Sequence, residues 1–266
     1  MTVHAATDDP SAHEVVGVTN PSVASNFLIV CEHASKFIPA EFGNLGLDDA
    51  VLDSHVAWDP GALAVAGAMS SLLDAPLVAQ RVSRLLYDCN RPPEASSAVP
   101  AVSEVTRIPG NTGLSAADRQ ARASRFYAPF RDTLAACIDR RIKTGRAPAI
   151  ITVHSFTPVF KGVRRETELG ILHDADSRLA DALIRAAGDG SALAIRRNEP
   201  YGPADGVTHT LVEHGVSRGL LNVMIEIRND LIADRASQTG MAQWLSRCLA
   251  TAFAALTMRS GGRGIA

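Results

Sequence analysis

A chain of 266 residues, 46% apolar and 20% charged, is long enough to bury one large α/β core or two small ones. A formal charge of −2 and 5% aromatic residues argue against a general pull toward nucleic acid or an anionic membrane and leave few rings for base stacking. No apolar run approaches the ~18 residues of a membrane span. The four scattered cysteines (Cys31, Cys89, Cys137 and Cys248) form no CxxC pair, which argues against a cysteine zinc site and for reduced thiols in a cytoplasmic protein.

Residues 1–22 open with "MTVHAATDDPSAHEVVG", which lacks the basic start and apolar run of a secretory signal and is expected to form a loose arm. A single domain is expected over 23–258. "NFLIVCEHAS" (26–35) is an apolar run ending in small and polar residues, a buried strand feeding a loop. The helical spacing of "LDDAVLDSHVAWDPGALAVAGAMSSLLDA" is broken at Asp59-Pro60-Gly61, so two helices flank a loop there. "PLVAQRVSRLLYDCNRPP" begins as a strand and stops at Pro92-Pro93. Residues 94–115 form a long Pro/Gly/Ser-rich loop, expected to cover a site as a lid. "SAADRQARASRFYAPFRDTLAACIDRRIKTG" predicts a helix with Ser115 and Asp118 at its start and Gly145 closing it. "APAIITVHSF", "TELGILHD", "ALAIRRNEPY" and "LNVMIEIRNDLI" predict strands. "ADSRLADALIRAAGDG", "THTLVEHGVSRGL" and "ASQTGMAQWLSRCLATAFAAL" predict helices, and residues 259–266 a frayed end. Strands alternating with helices predict a three-layer α/β/α fold around a mixed, mostly parallel sheet.

In such sheets ligands sit beyond the carboxyl ends of the strands. Five strand ends here carry polar residues: Glu32-His33, Asp88 with Asn90 and Arg91, His154-Ser155, Glu226 with Arg228, and Asn198 with Tyr201. Glu226 stands among Met224, Ile225 and Ile227, where an unpaired charge is costly, so it faces either a site or a structural arginine. Histidines and carboxylates can hold a divalent metal with one position open to water, and a further carboxylate can act as general base. Arginines and an asparagine suit an anionic substrate. Together these are the parts of a metal-assisted amide hydrolase acting on a small acidic substrate. Other patterns carry less. "GVSRG" (215–219) follows a helix rather than a strand, unlike a nucleophile elbow. "HEVVG" lacks a second histidine, and Ser35 and Ser155 lack triad spacing. His4 and His13 fall in the arm, His173 has no clear partner, and His209 and His214 read as surface or helix-end residues.

"VCEHAS", "WDPGA", "SRLLYDCNRPP", "VHSFTPVFKG", "NEPYGPADGVTHTLVEHG" and "VMIEIRNDLI", in this order over residues 26–255, resemble the N-formylglutamate amidohydrolase family. The resemblance implies a zinc-exopeptidase-like fold related to the zinc carboxypeptidases and aspartoacylases. It implies His33 and His154 as zinc ligands, Glu226 as general base, and Arg84, Asp88, Asn90 and Arg91 as substrate-handling residues. The relatives' His-x-x-Glu is not kept, since Lys36 stands three after His33. Asp59 is therefore assigned as the second ligand, with Glu32 and His55 as alternatives and a helix N-cap as its competing role. Arg84 is expected to polarise the scissile carbonyl, and Ser155, Arg164, Asn198 and Tyr201 to line the pocket. The implied cofactor is Zn²⁺ or another divalent metal, and the implied partner a small acidic N-acyl amino acid, with no nucleic acid or membrane. Where one branch of the family reads Pro-His-Ser-Gly, this chain has Glu32-His33-Ala34-Ser35, so N-formyl-L-glutamate and other N-acyl amino acids or small amides stay open as substrates. A metal-free carboxylate-binding protein is the alternative class.

Overall fold

The computed structural model describes residues 15–21, 24–188 and 191–261. One sheet contains β1 (Val16–Thr19), β2 (Phe27–Cys31), β3 (Leu77–Gln80), β4 (Ala149–Phe156), β5 (Leu169–Leu172), β6 (Ile195–Arg197) and β7 (Asn222–Arg228). Their order across the sheet is β1-β3-β2-β4-β7-β5-β6. The middle four, β3, β2, β4 and β7, run parallel. β1 is antiparallel to β3 and β5 antiparallel to β7, while β6 follows β5 in parallel. The sheet is thus mixed and mostly parallel.

Every residue of β2, β4 and β7 is buried, as expected of parallel strands rich in Val and Ile and covered on both faces. Alternation of side chains sorts them into two layers. Phe27, Ile29, Ile151, Val153, Val223 and Ile225 pack with α1 (Ala62–Leu72), α3 (Arg178–Gly188) and α4 (Arg235–Gly261). Leu28, Val30 and Ile150 meet Phe126, Phe130 and Leu134 of α2 on the other face. α2 comprises Ala116–Arg122 and Ala128–Lys143, joined by a π turn at Ala123–Tyr127. It begins on the expected box: Ser115 Oγ accepts from Asp118 N, and Asp118 Oδ2 from Ser115 N. The chain crosses from β2 to β3 over one face and from β3 to β4 over the other. Its course therefore reverses between β2 and β4, opening a crevice at their carboxyl ends.

Val16–Thr19, expected within a loose arm, instead pairs with β3 as an antiparallel edge strand. Residues 94–115 are tied down by buried Ala98, Val99, Ile108 and Asn111 and carry a small hairpin, Val102–Ser103 with Thr106–Arg107. α4 runs on to Gly261, further than expected, while residues 262–266, His4 and His13 lie outside the described residues. The four cysteines are buried and unbridged. Among the described residues no helix is long and apolar enough to cross a membrane.

Candidate active site

The register of the parallel strands builds one row of polar groups. β2 and β4 pair Val30 with Thr152, so two residues on, Glu32 comes beside His154 on the α2 face. β7 pairs Glu226 with His154. Glu32, His154 and Glu226 thus project from three neighbouring strands at the reversal point. The loop after β2 adds His33, whose carbonyl accepts from Asp59 N at 3.0 Å. Gly61 turns the chain with φ 82°; a Cβ there would come within 2.7 Å of the Ile232 carbonyl. Gly61, not Asp59, is the N-cap of α1, which leaves the Asp59 carboxylate free to point inward.

That carboxylate gathers the site. Its Oδ2 lies 3.3 Å from His33 Nδ1, 2.9 Å from His154 Nδ1 and 3.3 Å from Ser155 N, and its Oδ1 lies 3.4 Å from Arg84 Nη1. The outward nitrogens meet carboxylates too: His33 Nε2 is 2.8 Å from Asp88 Oδ1, and His154 Nε2 is 3.1 Å from Glu32 Oε2. All four ring nitrogens therefore face carboxylate oxygen. A neutral imidazole has one donor and one acceptor, so it cannot satisfy both sides. The arrangement is satisfied by imidazolium rings, by a proton on one of the carboxyls, or by a cation between the Nδ1 atoms and Asp59. His33, Asp59 and His154 are buried, with one potential ligand atom from each within 4.8 Å of the others. The donor set of two imidazoles and one carboxylate, each imidazole backed by a further carboxylate, fits a zinc-type divalent ion.

These charges act on one another. Burial pulls His154 down, but Glu32 and Asp59 outweigh it and hold its pKa well above the ordinary value. Burial and Arg84 lower that of His33, while Asp88 and Asp59 raise it further. Burial raises both aspartates, but His33 and His154 bring Asp59, and His33, Arg84 and Arg91 bring Asp88, below the usual carboxylate range. Arg84 also donates from Nη2 to Asp88 Oδ2 at 2.8 Å, so its guanidinium bridges the two aspartates. Glu226 behaves differently. Burial, with Asp59 adding to it, outweighs the pull of His154 and pushes its pKa up to about 7, within the range of a general base. Room for Glu226 comes from Gly170 on β5, its register partner: a Cβ at Gly170 would stand 3.1 Å from that of Glu226 and 2.0 Å from the Glu199 carbonyl.

Above this row opens a cleft of about 370 Å³, large enough for an acyl amino acid. His33, Asp59, Arg84, Asn90, Arg91, His154, Ser155, Tyr201 and Glu226 line it together. Glu104, from the 102–107 hairpin, clasps its rim. Its Oε2 pairs with His55 Nε2 at 2.9 Å, and its Oε1 accepts from Lys161 N at 2.9 Å.

A model of the N-formylglutamate amidohydrolase family matches residues 25–233. The chain belongs to this family. It is an amidohydrolase. A crystal structure of a gene product from Agrobacterium tumefaciens is 54% identical, with TM-score 0.90, covering 92% of this chain and 96% of that one. The N-formylglutamate amidohydrolase of Ralstonia eutropha shares the fold at 19% identity and TM-score 0.56, over 92% and 98% of the two chains. No curated protein matches the sequence.

Within this member of the family, not every expected residue reaches the cleft. Arg164 is exposed on a small hairpin, pairing with Val159; its neighbour Arg165 packs behind the cleft wall, donating to Tyr201 Oη. Asn198 takes a left-handed conformation (φ 50°) and accepts from His173 N, a structural role. Asn90 lines the cleft, but its amide bonds the backbone of Val207 and Thr210, so it joins two walls. Of the alternative second ligands, His55 is engaged by Glu104, and Glu32 faces the nitrogen of His154 that points away from Asp59. Arg228 pairs with Glu168 and Asp230. His173 bonds the Asp174 carbonyl and Arg197 and takes no part in the cleft. His214, expected near the surface, is buried on the turn Leu211–Gly215. Burial, helped by Arg218, pulls its pKa down to about 4.

Proposed function

We propose that this amidohydrolase cleaves the amide of an N-acyl amino acid, N-formyl-L-glutamate or a close relative, releasing formate or another acid and the free amino acid. A single catalytic domain over 23–258 would carry the activity, and the unbridged cysteines accord with a cytoplasmic enzyme of amino-acid catabolism. His33, Asp59 and His154 are the residues that would hold a divalent ion, Zn²⁺ by choice of donors. When bound, such an ion supplies Lewis acidity, making an attacking water more acidic and the substrate carbonyl more electrophilic.

The rest falls to side chains of the chain itself. Asp88 and Glu32 orient the two imidazoles through Nε2. Glu226 takes a proton from the attacking water on its carboxylate and returns it to the leaving amine nitrogen. Arg84, held between Asp59 and Asp88, donates to the oxygen on which negative charge develops. Arg91 pairs with a substrate carboxylate, while Ser155 and Tyr201 shape the wall.

One observation carries the reading: two buried imidazoles face carboxylates with both nitrogens, an arrangement a cation resolves. Metal content of purified protein, with His154→Ala beside it, is the test. About one zinc-type ion per chain, lost in the variant, is expected. No metal in either after incubation with zinc would overturn the mechanism and favour a metal-free reaction.

A further inference from the structure

Most arginines near the cleft are already engaged. Arg84 serves Asp59 and Asp88, and Arg228 serves Glu168 and Asp230. Two others, Arg91 in the cleft and Arg165 beside its wall, form no ion pair among the described residues, although Asp88 lies within the field of Arg91 and Glu104 within that of Arg165. Arg91 lines the cleft with Nη1 on the Asn90 carbonyl at 2.9 Å. Arg165 stands half-buried at the edge, inside a box of three rings. Its guanidinium carbon lies 4.5 Å from the Phe160 centroid, 4.7 Å from Tyr201 and 5.4 Å from Phe156. All three rings line the cleft. Nη2 donates to Tyr201 Oη at 2.8 Å and Nη1 to the Thr157 carbonyl at 3.4 Å.

This environment suits a receptor. Aromatic faces hold a guanidinium plane without neutralising it. Two of its five donors are occupied, and the others remain for a ligand. A fork locked in this way loses little side-chain entropy on binding, which favours bidentate pairing with a carboxylate. The cleft also presents Asp59, Glu104, Asp205 and Glu226, so a ligand with two negative charges needs two cations not already held in ion pairs to enter it.

We infer that Arg165 is the specificity residue for a second substrate carboxylate: Arg91 takes one carboxylate and Arg165 the other, selecting N-acyl amino acids with an acidic side chain. This rests on the amidohydrolase reading above.

N-formyl-L-glutamate and N-formyl-L-glutamine differ by a single charge at constant size and serve as the probe pair, with kcat and KM measured for the wild type, Arg165→Met and Arg165→Lys. Glutarate and its monoamide, titrated calorimetrically, supply the same comparison without turnover. In Arg165→Met the preference for the doubly charged partner of each pair falls about 10- to 100-fold, through KM and Kd rather than kcat. Arg165→Lys, which keeps the charge but loses the fork, recovers part of that preference. An unchanged ratio, or equal losses on both partners of a pair, overturns the assignment. If the wild type hydrolyses neither amide, the N-formylglutamate reading of the substrate fails, and the glutarate ratio alone decides Arg165. If the Met variant does not fold, the Lys variant decides it, since a ratio equal to wild type would overturn the role of the fork.

Discussion

The carboxylates behind the imidazoles can be tested without assaying the reaction. Asp88 accepts from His33 Nε2 and Asn90 N on one oxygen and from Arg84 Nη2 on the other, with all three distances at 2.8–2.9 Å. Asp88→Asn preserves size but turns one of these oxygens into a donor, so a donor then faces either His33 or Arg84. One charge-assisted bond, worth roughly 1.5–3 kcal/mol, is exchanged for a repulsive contact in a buried setting. His33 also loses the group that sets its tautomer. Outer carboxylates of this kind change metal affinity by about 10- to 100-fold, or roughly 1.4–2.7 kcal/mol. Glu32→Gln should perturb His154 in the same way, whereas Asp59→Ala removes a proposed ligand and should abolish tight binding. The assay is competition for zinc between apo-protein and a chromogenic chelator, with circular dichroism confirming the fold. Wild-type affinity in both Asp88→Asn and Glu32→Gln would refute the outer-carboxylate roles, and wild-type affinity in Asp59→Ala would refute the ligand set.

Glu226→Gln should lower kcat by about 10²- to 10⁴-fold while metal content stays at the wild-type level; lost metal would make Glu226 a ligand instead. Gly170→Ala forces a methyl against the Glu199 carbonyl and should cost about 1–3 kcal/mol, seen as a lower Tm by circular dichroism, and an unchanged Tm would refute the close approach. His214 titrates near 4 in the fold and near 6.5 when unfolded, so between these values the unfolded chain binds more protons. Its stabilising contribution is complete above about pH 6.5 and is lost as pH falls toward 4. Urea unfolding at pH 7.5 and pH 5 should therefore show about 2 kcal/mol of acid destabilisation that His214→Gln lacks, and equal pH dependence in the two proteins would count against a buried neutral ring.

Strand-end chemistry was legible because parallel strands leave a strong trace: continuous apolar runs that stop on His, Glu or Asp. That trace brings Glu32, His154 and Glu226 to one edge of the sheet, and register alone aligns them. β1 was hidden because Val16-Gly17-Val18-Thr19 is short, contains glycine and takes its order from β3 rather than from itself. Arg164 is left exposed by the way its hairpin faces, which the sequence alone does not reveal. Asn198 sat at a strand end for its left-handed backbone, which a site-based reading passes over. His214 lies on a tight helical turn packed against β4 and β7, and no local periodicity marks such a turn as buried. Which of Asp59, Glu32 and His55 stands between the two imidazoles depends on contacts across 95 residues of chain, from Asp59 to His154, that only the folded crevice supplies.

Glu104 binds together His55 and Lys161, segments otherwise far apart along the chain, and makes the 94–115 stretch a fixed rim. A preset mouth has a kinetic meaning. Small anions reaching it meet an open cleft, so capture would be paced by diffusion and electrostatic attraction rather than by the opening of a gate. Association rates would then fall with added salt, and loosening the rim through Glu104→Gln would broaden which ligands are admitted before it slowed the chemical step.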